Sequence, residues 1–209
     1  MVTLSAGAVE RSEPAYAFDF CGGHPAIDFT NTVGSRGDEP KEHLRTYGDL
    51  LAWAQVRGMV SRAEASKLAR SAQDDVEAAG RALRRAVDLR ETLYALMSSV
   101  VDRKKPDKQV LARLNDYVSD TFGAAHLAVE EGRLALKTPS DDRLDAMLTP
   151  IVRSAVELLT SDAAARIGRC ADKGCAWLFF DTTRSGTRRW CDMKVCGNRN
   201  KVRRFRSSS

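Results

Sequence analysis

The 209-residue sequence lacks most of the features that assign a protein at sight. No apolar run approaches the ~20 residues a membrane-spanning helix needs. No basic stretch followed by an apolar one opens the chain, so no signal peptide is expected. There is no glycine-rich phosphate loop, no nucleophile elbow and no His-Glu-x-x-His, and nothing supports an enzyme. Internal repeats, heptad runs and long linkers are missing as well. Cysteine is scarce outside one segment: Cys170, Cys175, Cys191 and Cys196 fall within 27 residues, and Cys21 stands apart. A chain without an export signal is expected in a reducing cytoplasm, where clustered cysteines more often hold metal than form disulfides.

Acidic residues thin out towards the end. Between Arg166 and Ser209 there are 12 basic and 3 acidic side chains, a net of +9, so the other 165 residues carry −4 of the overall +5. An acidic body with a basic end suggests a polyanion-binding segment rather than a uniformly adhesive surface. With 43% hydrophobic and 29% charged residues, collagen-like, low-complexity and wholly disordered chains are excluded.

Residues 1–15 read as a flexible tail, and Ser207–Ser209 as a frayed end. Phe18-Asp19-Phe20 is a candidate short strand, and Pro25 suits the first turn of a helix running to about Val33. Residues 34–40 (GSRGDEP) form a polar loop. Thr46 is a candidate N-cap for a helix ending near Gly58, and Ser61 with Glu64 has the pattern of a capping box. From Asp74 to Lys105, Val76, Ala79, Leu83, Ala86, Leu89, Leu93 and Met97 recur at helical spacing, ended by Pro106; another helix covers about 107–120. The period then changes to two: residues 126–130 and 133–137 flank Glu131-Gly132 as a β-hairpin. A helix from Asp141 or Asp142 follows, kinked or broken by Pro150. The fold class is α+β: a mostly α-helical N-terminal domain with a small β-hairpin, then a C-terminal four-cysteine unit.

The quartet reads Cys170-x4-Cys175, 15 residues, Cys191-x4-Cys196. Two closely spaced thiolate pairs suit a tetrahedral structural zinc, one per chain; with four cysteine ligands no position stays open for a reactive water. In the spacer, Trp177–Phe180 and Arg188–Trp190 flank a polar turn at 182–187, which suggests a hairpin. A helix then carries the second pair near its start, a treble-clef-like order. The competing reading is four unrelated small buried thiols. Cys191→Ser is expected to unfold this segment and leave the helical body intact. Around the quartet stand Arg184, Arg188, Arg189, Lys194, Arg199, Asn200, Lys201, Arg203, Arg204 and Arg206, with Arg199, Arg203 and Arg206 on one helical face. Arginine favours bidentate contact with phosphates or guanine edges, so these are the candidate DNA-binding residues. A solvated charge run is the plain alternative.

The segment CADKGCAWLFFDTTRSGTRRWCDMKVCGNRNKVRRFR resembles the CGNR zinc finger, whose tetrapeptide stands here as Cys196-Gly197-Asn198-Arg199. FDFCGGHPAIDFTNTV and LRTYGDLLAWA resemble the ABATE domain that precedes this finger in bacterial proteins. The resemblance implies a stress-induced bacterial transcription regulator: an ABATE-like α-rich domain over 16–165 that senses or binds something, and a DNA-binding finger over 166–209. It also implies a cytoplasmic, nucleoid-associated protein with double-stranded DNA as partner. The alternative is a zinc-stabilised RNA-binding or protein-interaction module on a small-molecule-binding body.

In the N-terminal motif, His24, Asp28 and Asn31 share a helix face. They are either a polar pocket for an unknown small-molecule effector or a network anchoring the first helix to the body, and the second is favoured because pockets are mostly apolar with few polar groups. Cys21 with His24 has no second pair and reads as a structural thiol. A single finger offers few base contacts, which favours a homodimer.

Overall fold

The computed structural model describes residues 17–123, 125–137 and 143–207. The expected tail at 1–15, the helix start at Asp141 or Asp142 and the last two serines lie outside them.

The helices are α1 (Pro25–Thr30), α2 (Tyr47–Val56), α3 (Arg62–Asp74), α4 (Val76–Val101), α5 (Lys108–Phe122), α6 (Leu148–Leu159) and α7 (Asn198–Ser207). Three two-stranded antiparallel ladders accompany them: β1 (Val33–Gly34) with β2 (Lys41–Glu42), β3 (His126–Glu130) with β4 (Arg133–Lys137), and β5 (Ile167–Arg169) with β6 (Leu178–Phe180). This is the expected α-rich class with small hairpins and a terminal four-cysteine unit.

Local chemistry explains the starts. Thr46 accepts from the Asp49 N–H while the Asp49 carboxylate accepts from the Thr46 N–H, and Ser61 and Glu64 do the same, two complete capping boxes. Asp107 caps α5 through Gln109 and Val110. At the β3–β4 turn Glu131 and Gly132 both have positive φ (49° and 76°), as a type I′ hairpin turn requires.

Several expected boundaries move. Residues 17–20 form no strand; Phe18 and Phe20 pack against the core instead. The first helix stops at Thr30, because Val33 pairs with Glu42 across a small ladder that closes the 34–40 loop. The long periodic segment starts at Val76, after the Asp75 cap, and ends at Val101, where Arg103 turns into the left-handed region before Pro106 is reached. Pro150 sits in the first turn of α6, where its missing N–H costs no helical hydrogen bond, and so neither kinks nor breaks it. In the quartet region Leu178–Phe180 pairs with Ile167–Arg169, not with 188–190. The first ligand pair therefore lies inside the β5–β6 loop.

The main core runs through the body and reaches into the cysteine unit, beside a smaller cluster of Trp177, Phe179 and the four cysteines. Phe29 and Trp53, fully buried with ring centroids 5.0 Å apart, sit among Leu50, Leu89, Leu93, Met97 and Ile151. Ile167 and Leu178 belong to that same core, so packing continues across residue 166 from the body into the cysteine unit. The β3–β4 hairpin is the exception: Leu127, Val129 and Leu134 are exposed.

Candidate metal centre and basic face

β5 runs into Cys170 and β6 begins after Trp177, and the loop between them folds on its own backbone. Cys170 N–H donates to Trp177 O (2.8 Å), and Cys175 N–H to Asp172 O (2.9 Å). Ala176 takes positive φ (54°) to complete the turn. The second pair is brought alongside by Ala171 N–H donating to Arg189 O (2.8 Å). After Cys191, Asp192 caps a π-helical turn over Met193–Gly197 through the N–H groups of Lys194 and Val195, and this turn carries Cys196 into α7. At Gly197 a Cβ would fall 2.4 Å from Met193 Sδ, so a larger residue there would displace that exposed side chain.

The four sulfurs lie within 4.8 Å of one another and all four residues are buried. Cys175 and Cys191 Sγ are 3.6 Å apart, as are Cys191 and Cys196 Sγ. A tetrahedral ion with metal–sulfur bonds of about 2.3 Å sets its sulfurs about 3.8 Å apart, so the spacing fits such an ion. Without metal the thiols have mainly each other for partners. Hydrogen bonds from Cys175 and Cys191 hold the Cys170 thiol far below its ordinary value, while the same contacts push Cys191 up. Cys170, Cys175, Cys191 and Cys196 are thus the residues that would hold a metal ion, with no protein position left open on it.

The basic residues divide into two sets. Arg188 turns inward: its guanidinium donates to the carbonyls of Trp190 (2.9 Å), Phe180 (3.1 Å), Cys21 (2.8 Å) and Cys191, and lies over the Phe179 ring. Arg199 and Arg203 reach back to the fully buried Asp172 carboxylate, at 3.5 and 3.2 Å. Asn200 donates to Cys196 O (2.9 Å). Arg184, Arg189, Lys194, Lys201, Arg204 and Arg206 are exposed, with Arg189 over the Trp190 ring. Val195, Val202 and Phe205 are exposed on the same unit.

Of the three polar residues of the N-terminal motif, Asn31 and His24 face the cysteine unit and Asp28 is paired within the body. Asn31 uses both ends of its amide on Leu178, donating to its carbonyl (2.9 Å) and accepting from its N–H (3.1 Å). Asp28 is buried against Arg57 Nε (3.0 Å); burial lifts its carboxyl to about 7 despite the guanidinium. His24 lies 3.4 Å from Ser154 Oγ and near the Phe180 ring, and burial lowers it.

Sequence reasoning missed the rest of this junction. Trp177 Nε1 donates to Val33 O (2.7 Å), Tyr94 OH to Ala176 O (2.9 Å) and Phe180 N–H to Gly22 O (2.7 Å). Gly37 approaches so closely that a Cβ would lie 1.6 Å from Lys173 O. Arg169 pairs with Asp102 at 2.9 Å. These interactions join residues far apart in the chain, and no spacing rule encodes them; an indole or a phenol near a metal knuckle was the only available hint.

Comparison with known families agrees with this division. Residues 23–162 match the ABATE family, described as "Putative stress-induced transcription regulator", and residues 166–208 match the CGNR zinc finger. No curated protein matches the chain.

Proposed function

The chain belongs to the ABATE family, with a CGNR zinc finger after the ABATE region, and from that premise we propose that it is a zinc-dependent, DNA-binding transcription regulator. Its four buried cysteines hold one structural Zn2+, and the finger so ordered presents its cations to double-stranded DNA. The observation that carries this reading is the split among the basic residues. Asp172, buried in the metal knuckle, fixes Arg199 and Arg203 on α7, and around them Arg184, Arg189, Lys194, Lys201, Arg204 and Arg206 stand exposed. The half-exposed Arg199 and Arg203 are pre-oriented for base edges or phosphates, whereas the outer set suits phosphates alone. Arg188 holds the finger together and does not touch DNA in this reading.

The ABATE domain is then a sensor, possessing no catalytic role, in a bacterial cytoplasmic protein associated with the nucleoid and responsive to stress. A small-molecule effector would act by altering how the finger sits on the body, because Asn31 lies at that junction. Homodimerisation would double the base contacts that one finger provides.

A second reading has one observation in its favour. Val195, Val202 and Phe205 give the basic helix an exposed apolar strip, which suits a protein partner or stacking on unpaired RNA bases. Fluorescence anisotropy with zinc-loaded protein, a duplex selected from a random pool, and structured RNA of the same length separates the two. Preference for the selected duplex supports the regulator. So does a salt slope that becomes shallower by about 0.9 for each phosphate left without its cation in Lys201→Ala or Arg206→Ala. Equal affinity for every duplex, or tighter binding of RNA, would overturn it.

A further inference from the structure

The fifth cysteine is remote in sequence and adjacent in space. Cys21 lies just before α1, and its backbone is fixed to the finger at two points. Arg188 Nη2 donates to Cys21 O (2.8 Å), and Phe180 N–H donates to the carbonyl of the next residue, Gly22 (2.7 Å). So held, the Cys21 side chain packs against the cluster that contains the four thiols. The two differ in access, since Cys191 is buried and Cys21 half-buried. Both line one open cleft of about 690 Å³, whose other walls include Arg188, Arg189, Trp190 and Lys194. The cleft is large enough to admit water and small oxidants to the Cys21 sulfur.

A thiol beside a metal-ligating thiol, on a path to solvent, is placed for disulfide formation rather than for coordination, because four sulfurs already complete the tetrahedron. We propose that Cys21 is a peroxide-reactive thiol that forms a disulfide with Cys191 and so removes one ligand from the metal site. The proposal rests on the zinc reading above, because ligation is what keeps Cys191 a thiolate.

The chemistry balances in two steps. The Cys21 sulfur attacks one oxygen of hydrogen peroxide; the O–O bond breaks, a sulfenic acid forms and, with the thiol proton, the other oxygen leaves as water. The Cys191 thiolate then attacks the Cys21 sulfur; the S–O bond breaks, the S–S bond forms, and hydroxide takes up a proton to leave as the second water. Each sulfur loses one electron, and the two peroxide oxygens gain two. Bringing the sulfurs to about 2.05 Å of each other pulls Cys191 out of the cluster. Three thiolates remain, and the knuckle, π-helical turn and α7 lose the tie that Cys191 supplied. The half-buried Cys21 reacts ahead of the ligands because their lone pairs are engaged and their side chains buried.

The test uses the full chain loaded with Zn2+, with metal content measured before oxidant is added, so that an empty site is recognised separately from an unreactive thiol. Hydrogen peroxide is added near one equivalent, metal release is followed with a chromogenic chelator, and disulfides are mapped by mass spectrometry under non-reducing conditions. The expected result is a Cys21–Cys191 disulfide forming in step with metal release, reversed by dithiothreitol and added zinc. Cys21→Ser and Cys21→Ala, both binding metal to the same stoichiometry beforehand, should release it about tenfold more slowly, since attack must then begin at a buried, ligated sulfur. Disulfides confined to the four ligand cysteines at equal rates in all three proteins would overturn the proposal, as would oxidation of Cys21 with the metal retained.

Discussion

The helical body and the cysteine unit solve the same problem with different forces. In the body, Phe29, Trp53, Leu50, Leu89, Leu93 and Met97 are buried on faces of helices that also cap themselves, and removal of apolar surface from water supplies the stability. The cysteine unit owns a far smaller cluster, with Phe179 and Trp177 beside four thiols. Its last helix buries no residue at all. Such a unit needs a metal to close its loops and a neighbour to supply core. The knuckle brings four sulfurs together as a site for the first, and Ile167 and Leu178 enter the core of the body for the second. The difference teaches that finger and body share packing, so that a metal bound in the finger would stabilise more than the residues that hold it.

The largest effect should come from the metal ligands. Cys191→Ser leaves an incomplete tetrahedron, and the sequence-based expectation of an intact body has to be revised because Leu178 and Asn31 link the two parts. Calorimetry should find the body melting well below wild type, at about 2–4 °C for each kcal/mol of destabilisation. A body melting at the wild-type temperature would restore the picture of two independent units.

Asn31→Ala should follow. It orphans the buried N–H and carbonyl of Leu178, each costing about 1–3 kcal/mol. Chemical denaturation measures it, and a change under about 0.5 kcal/mol, the level of an ordinary surface substitution, would place the junction's strength elsewhere. Gly37→Ala probes the same junction from the opposite side, through its clash with Lys173 O. It should raise hydrogen exchange in the knuckle while leaving α3 and α5 unchanged.

A smaller effect concerns pH. Asp28 is raised from 3.8 to about 7, chiefly by burial. A carboxyl raised in the folded state holds its proton more tightly there than in the unfolded chain. Its contribution is therefore complete below about pH 4 and is lost as pH rises through about 7. Asp28→Asn should flatten the stability profile across that interval, and an unchanged slope in denaturation curves would contradict the assignment. The smallest effect belongs to the β3–β4 hairpin. Leu127→Ser should alter stability by no more than about 0.5 kcal/mol, because that side chain faces solvent.

What could be read beforehand follows from the range of each interaction. Thr46, Ser61 and Asp107 act on backbone groups two or three residues away, so their helix starts are local facts. The β3–β4 turn is likewise set by two adjacent residues. The ligand quartet was legible because its paired spacing is itself the chemistry of chelation. The partner of β6 was not, since Arg188–Trp190 and Ile167–Arg169 lie at similar distances along the chain and only burial of Ile167 in the body decides between them. Nor was the inward turn of Arg188, which pattern reading grouped with outward-facing arginines; its acceptors include a carbonyl at Cys21, in another part of the chain. Asp172 carried no signal beyond its charge, although it fixes two arginines of α7.

Hydrogen exchange of the full chain, with zinc bound and after chelation, tests whether body and finger are one unit. Loss of protection on metal removal should extend beyond the knuckle into α1 and the half of α4 that carries Tyr94, with α3 least affected. Protection lost only from residue 166 onward, with α1 unchanged, would contradict it.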